Sequence, residues 1–317
     1  ANGQSLISHR PPRCMEAVFQ QLINGLSLGS VYALIALGYT MVYGVLRFIN
    51  FAHSDVLMLG AFAAYFLSPR VEAALGSQSI MGAILIVIIV AAICAGIGIL
   101  IEFLAYRPLR SRPKLTVLIT AIGVSLFIEF TGQHKAVFGA DTRSFPQLLP
   151  QSDVHMGGLV ISSIDIIVPL VTAVLLTTMW YIVHRTRMGT AMRAVSYNQQ
   201  AASLMGVNVN RVISFTFGVG SALAAVAGIL YCMRAPAIEP LMGMQPGLKA
   251  FIAAVVGGIG NLYGAVLGGL LIGLVETAAG GIEGLSSYRD GIAFAILILI
   301  LLFKPAGLLG RATVEKV

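Results

Sequence analysis

The sequence predicts an all-α, polytopic membrane protein with about eight to nine transmembrane or half-membrane helices and one amphipathic helix on its cytoplasmic side. Three observations lead there. Of 317 residues, 57% are hydrophobic and only 10% are charged, against roughly 25% charged in soluble domains. The charges avoid a series of apolar runs, several of which reach the roughly 20 residues needed to cross the hydrocarbon core. The basic residues collect in a few connections, as the positive-inside bias requires.

Residues 1–14 are polar, contain Pro11-Pro12 and lack an apolar stretch, so they do not read as a secretory signal peptide. They are expected to be a disordered N-terminal extension, with Met15-Glu16 as a natural start. Leu22–Leu46 is the first span. Ile80–Leu104 is the next, with Glu102 near one end, and Leu115–Thr131 follows with Glu129 at its far end. Ile164–Val183 and Val212–Met233 are clear spans. Val266–Thr277 extends back through a glycine-rich lead from Gly260, and Gly291–Phe303 stops at Lys304-Pro305. Two pieces, Asp55–Leu67 and Lys249–Val256, are short for a crossing and sit beside irregular stretches, Phe48–Ser54 and Gly257–Gly260. Non-helical backbone at membrane depth survives only where protein or a cavity shields it, so broken or re-entrant helices are expected at both.

Arg107, Arg110, Arg112 and Lys114 crowd one connection, Arg185, Arg187, Arg193 and Arg211 another, and Lys304, Arg311 and Lys316 follow the last span. These regions face the cytoplasm, and the connection 132–158 faces outward. Nine crossings place the N-terminus outside; eight, with Asp55–Leu67 re-entrant, place it inside. The net charge of +7 is thereby a topology signal. Nucleic acid is not an expected partner, because no basic stretch is interleaved with stacking aromatics. Cys14, Cys94 and Cys232 form no CxxC and no metal-ligand pattern.

Between two apolar runs lies a polar, helix-compatible segment, Met188–Arg211. A short loop would suffice to join two spans. A helix there, on the basic side, is what a transporter needs to take a push from a soluble motor. Its apolar positions include Ala194, Ala201, Leu204 and Met205.

Several other residues can carry function or mere architecture. Gly260, Gly264 and Gly268 recur at every fourth position, as do Gly25 and Gly29. This spacing lets helix backbones approach closely in lipid, for packing alone or for a sliding gate. In Asn50-Phe51-Ala52-His53-Ser54-Asp55, Ser54 or Asp55 can cap the following helix. Alternatively Asn50, His53 and Ser54 line a translocation path, because polar groups beside apolar runs usually face a cavity. His53 alone is no metal site. Tyr32 and Tyr39 share one helix face and suit either core or cavity lining, and Asn261 joins them as a path candidate. No GxxxxGK[ST] loop, Ser-His-Asp or Cys-His arrangement or H-E-x-x-H helix occurs. The chain therefore reads as a transport subunit without its own ATPase site, not an enzyme. Carboxylates sit near predicted span ends, so a largely neutral path is expected, and an ion-driven secondary carrier, which typically keeps a mid-membrane carboxylate, is the weaker alternative.

Gln21–Gly44 and Ile49–Gly60 are similar to the opening of the LivH-type permeases of branched-chain amino-acid ABC importers. The usual family pattern has glycine where this chain has Ser54, and often glutamate where it has Asp55. Arg187–Arg193, Ala201–Asn208, Val256–Asn261 and Pro305–Gly310 carry the resemblance through most of the chain. It implies a permease domain over 15–311 with a cytoplasmic tail, 312–317, in a multi-pass protein of the bacterial inner membrane whose C-terminus is cytoplasmic. It implies a second related permease subunit, two cytoplasmic ATPase subunits that hydrolyse ATP, and a periplasmic substrate-binding protein, with no cofactor in this chain. Gly189–Gly206 then corresponds to a coupling helix, with Arg193, Asn198, Ala201, Leu204 and Gly206 at the ATPase interface. The implied substrates are branched-chain amino acids or related small zwitterionic or amide solutes. An ion-driven carrier or channel for small polar solutes remains the alternative.

Overall fold

The computed structural model describes residues 14–110, 112–156, 159–282 and 284–310. The expected extension lies outside them except for Cys14, and the tail 312–317 lies wholly outside. Helix α1, Cys14–Leu46, has 33 residues, about 50 Å of helix at 1.5 Å per residue. That exceeds the roughly 30 Å hydrocarbon core, so α1 begins well before Leu22. Its middle, Val31–Leu37, is buried throughout, and α5, Ser163–Arg185, α8, Val209–Arg234, α9, Met244–Gly257, and α10, Leu262–Gly280, pack around it. An apolar helix is placed at the centre of a bundle by shape, because lipid tails match its hydrophobicity.

The remaining helices line the outside of this core. They are α2, His53–Leu75, α3, Ile80–Ile101, α4, Lys114–Gln133, and α11, Arg289–Phe303. The expected short piece Asp55–Leu67 is thus corrected to a 23-residue helix that continues through Pro69. The charges Arg70 and Glu72 that ended the apolar run lie on its last turns, where a helix can continue beyond the hydrocarbon. Helix α3 runs on through a π-helical turn, Glu102–Tyr106, and a 3-10 turn, Arg107–Leu109. The all-α expectation needs a small addition: β1, Arg143–Ser144, pairs with β4, Ala237–Ile238, and β2, Asp153–Met156, pairs with β3, Leu159–Ser162.

The single amphipathic helix expected over Gly189–Gly206 is two helices, α6, Arg187–Tyr197, and α7, Gln199–Leu204. Asn198, at φ −156° and ψ 110°, breaks the helix, and its side chain accepts a bond from Ala201 N to start the next. Asparagine competes with helical backbone through this kind of local bond. Gly206, at φ +84°, ends the segment.

Hydrogen bonds fix which ends lie together. Gln20 bonds Val160 of β3 through both donor and acceptor, at 2.9 and 3.0 Å. At the other end, Arg47 donates to Ser196 O at 3.3 Å. Helix α1 therefore runs from the face carrying the β2–β3 hairpin to the face carrying α6. Among the described residues, eight helices are long and apolar enough to cross a bilayer. Residues 235–243, which hold the two-residue strand β4 and then turns, lead into α9, and together they form the broken element expected for Lys249–Val256. Counted with the eight helices it gives nine passages, with the start of α1 on the hairpin face. Leu308 and Leu309 donate to Val256 O and Gly257 O, so the chain leaves α11 on the α6 face.

Candidate translocation path and coupling segment

On the hairpin face, a cleft of about 530 Å³ runs down between α1, α9, α10 and α11. Lys249 Nζ donates to Glu276 Oε1 at 2.6 Å and lies 2.8 Å from Asp290 Oδ1. Tyr32 Oη donates to Glu276 Oε2 at 2.9 Å. Lys249 and Glu276 are buried, whereas the Asp290 side chain is 46% exposed. The cleft is charged, where the sequence led to the expectation of a largely neutral path. Glu276 lies four residues from the end of α10 but packs inward, against a lysine that the sequence offered only as the start of a short apolar piece. The signal was present: a lone lysine ahead of Ala250–Val256 needs a partner when the run is buried.

Below Tyr32, aromatic rings close the bundle. Tyr39 and His53 stand 4.7 Å apart between centroids, and Phe251 lies 6.2 Å from both Tyr39 and Phe51. His53 fits because residue 38 is glycine; a Cβ there would overlap the imidazole. The structure brings Tyr39 and His53 together but separates Tyr32 from them. Asn50, His53 and Ser54 are buried and line neither the outer cleft nor the inner one. Asn50 accepts a 2.6 Å bond from Tyr106 Oη. Ser54 does not cap α2. Its hydroxyl donates to Phe51 O at 2.9 Å, and Ala52 holds the cap position with no side-chain bond. Gly243 and Gly247 press against Ser54 so closely that a Cβ on either would overlap it.

On the α6 face, a second cleft of about 600 Å³ is bordered by Arg193, Ser196, Asn261 and Tyr263. Asn261 caps α10, accepting from Tyr263 N and Gly264 N at 3.1 and 3.3 Å, and donates to Leu309 O at 2.8 Å. The glycine spacing is helix packing at four of its five positions. Gly25 and Gly29 meet Leu274 and Leu270 of α10, and Gly264 and Gly268 meet the carbonyls of Gly257 and Ala253 in α9. Gly260 is the correction: nothing lies near it, and its φ of +93° serves the turn between α9 and α10.

The segment α6–α7 is fastened on one side and bare on the other. Ser196 Oγ donates to Gly44 O and Gln199 Nε2 to Val45 O, and Met192, Val195 and Ala202 are buried. Arg193, Asn198, Ala201 and Gly206 are exposed, while Tyr197, Leu204 and Met205 are 89, 88 and 85% exposed. Behind the segment, Glu102 is fully buried. It accepts from Arg107 at 3.2 and 2.9 Å, from Arg110, and from Ser214 of α8 at 2.6 Å. Arg110 also donates to Asn210 at 2.8 Å. Burial lowers the Arg110 guanidinium from its ordinary value, and the charge of Glu102 opposes that shift. In the sequence these arginines marked only the cytoplasmic side. Their role in tying α3 to α8 needed the π-helical turn, which no sequence pattern announced.

Residues 21–301 match the family model described as branched-chain amino acid transport system, permease component. The chain is 43% identical over 310 residues to the high-affinity branched-chain amino acid transport system permease protein BraD of Pseudomonas aeruginosa, covering 94% of this chain and 97% of that protein. It is 39% identical over 309 residues to LivH of Escherichia coli, with the same coverage. A shorter stretch of 136 residues is 33% identical to the ribose import permease protein RbsC of Haemophilus influenzae, covering 41% of this chain and 42% of that one. No solved structure matches the chain.

Proposed function

This chain belongs to the branched-chain amino acid transport system permease family, and from that premise we propose that it moves branched-chain amino acids across a bacterial inner membrane as one subunit of an ATP-binding cassette importer. A second related permease, two cytoplasmic ATPases and a periplasmic binding protein complete the machine, and the ATPases hydrolyse the ATP. The C-terminus and α6–α7 face the cytoplasm.

The observation that carries the coupling role is the bare end of α6–α7. Tyr197, Leu204 and Met205 expose large apolar surface outside the membrane-spanning bundle, at the basic face. A segment whose Ser196 and Gln199 side chains anchor it to carbonyls of α1, and which is tipped with exposed apolar side chains, is shaped to be gripped. Motion of the grip reaches α1 through Gly44 and Val45 and reaches α8 through the direct packing of α6 and α7 on it, and Glu102 ties α8 in turn to α3.

The test is uptake of L-leucine by the assembled transporter in proteoliposomes. Uptake is expected to require ATP and binding protein and to persist without a membrane potential. Uptake driven by an imposed ion gradient in the absence of ATPase subunits would overturn the reading in favour of a secondary carrier.

A further inference from the structure

We propose that the cleft on the hairpin face is a transient binding site for zwitterionic α-amino acids, in which Lys249 takes the α-carboxylate and Glu276 with Asp290 takes the α-ammonium. The inference rests on the functional reading above and says where this chain holds the charged end of its substrate.

The charges are arranged for exchange. Helices α9, α10 and α11 each contribute one of Lys249, Glu276 and Asp290, and the one ammonium lies within 2.8 Å of both carboxylates. Arg289 on the rim brings the group to two positive and two negative charges. The other cation of the cleft, Arg234, is held by Asp165 at 3.1 Å. An incoming zwitterion can hand its carboxylate to Lys249 and its ammonium to the carboxylate so released. The number of ion pairs then rises by one, and no lone charge is left buried at any stage, which is the condition under which buried ions are tolerated. A ligand with only a carboxylate meets Glu276 and Asp290 unpaid, and one with only an ammonium meets Lys249. The cleft therefore selects against singly charged molecules.

The rest of the cleft fits an aliphatic amino acid. Leu28, Pro246 and Tyr231 give it apolar wall beside the charges. Its volume of 530 Å³ falls in the range of about 300–1,000 Å³ for small-molecule sites. Its mouth lies on the hairpin face, and Tyr32 lies deep in it. The packed rings of Tyr39, His53 and Phe251 then separate it from the cleft on the α6 face. Ionisable groups at this depth mark substrate pathways far more often than they serve stability.

Saturation-transfer NMR on the detergent-solubilised transporter, without its binding protein, tests the site with three probes: L-leucine, 4-methylpentanoate and 3-methylbutylamine. L-Leucine is expected to bind at least roughly tenfold more tightly than either half-charged analogue. The Lys249→Met/Glu276→Gln double substitution removes both buried charges together, so it is expected to keep the wild-type melting temperature and to weaken L-leucine roughly tenfold or more. Asp290→Asn, at the half-exposed mouth, keeps the fold independently of that pair and is expected to weaken L-leucine while leaving 4-methylpentanoate no weaker. Equal binding of the three probes, or wild-type affinity for L-leucine in both variants, overturns the site. The two failures are distinguishable: a wild-type transporter that takes up L-leucine with ATP, with unchanged uptake by both variants, removes the site alone. A wild-type transporter that takes up no branched-chain amino acid removes the functional reading beneath it.

Discussion

Replacing Glu102 tests the tie between α3 and α8, the helix on which α6 and α7 pack. The carboxylate is fully buried and accepts four hydrogen bonds, two from Arg107 and one each from Arg110 and Ser214. In Glu102→Ala both guanidinium groups lose their counter-charge in one step. Removing one partner of a buried ion pair costs about 3–5 kcal/mol. The Arg107 side chain is 32% exposed and Arg110 16%, so both can recover some hydration, which puts the expected loss near the lower figure, about 3 kcal/mol. Glu102→Gln keeps the shape and one acceptor but loses the charge; the cost should be about 2 kcal/mol, in the range for hydrogen bonds to charged groups. The assay pairs the melting temperature of the purified transporter with ATP hydrolysis and L-leucine uptake in the same proteoliposomes. The expected order of melting is wild type, then Gln, then Ala, with hydrolysis surviving in the Gln protein while uptake per ATP falls. If Glu102→Ala melts with the wild type and transports at its rate, the clamp carries neither stability nor coupling, and the argument fails.

Ala201→Asp places a charge on the exposed side of α7, where it costs the isolated chain little; normal membrane insertion with lost ATPase assembly, read by co-purification, is the expected result. Gly264→Leu should destabilise by at least the upper end of about 1–3 kcal/mol, because its Cβ would overlap the backbone carbonyl of Gly257, which cannot swing aside. Gly260→Ala has open space but a φ of +93°, so a smaller loss of about 1–2 kcal/mol is expected; comparable melting temperatures for the two variants would contradict the assignment of packing to one and turn to the other. In a background lacking native cysteines, Arg187→Cys should be shielded from an impermeant thiol reagent in intact spheroplasts and Gln151→Cys labelled, and labelling of position 187 from outside would invert the orientation.

The sequence alone determined the class and the number of crossings to within one, because each rests on a local property, and its basic loops carry the expectation of which face is cytoplasmic. A run of apolar residues must be in lipid, and arginines in short loops stay where the chain was made. The exposed segment between α5 and α8 was legible for the same reason: polar residues over a helix-length stretch have no place in hydrocarbon. The tertiary structure decided what pairwise contact decides. Pro69 and two charges hid the length of α2, since composition cannot say where a helix leaves the bilayer. Asn198 split the coupling segment because a capping bond to Ala201 competes with continued helix, and propensity alone does not choose between them. Asn50, His53 and Ser54 are buried against neighbours that the local sequence does not display: Tyr106 for Asn50, Gly38 for His53, and Gly243 and Gly247 for Ser54. Glu276 read as an end-of-span charge and Lys249 as a boundary; only the fold set them 2.6 Å apart beside Tyr32. Buried charges are tolerated only in company, and company is a property of three-dimensional proximity that no single run of residues displays.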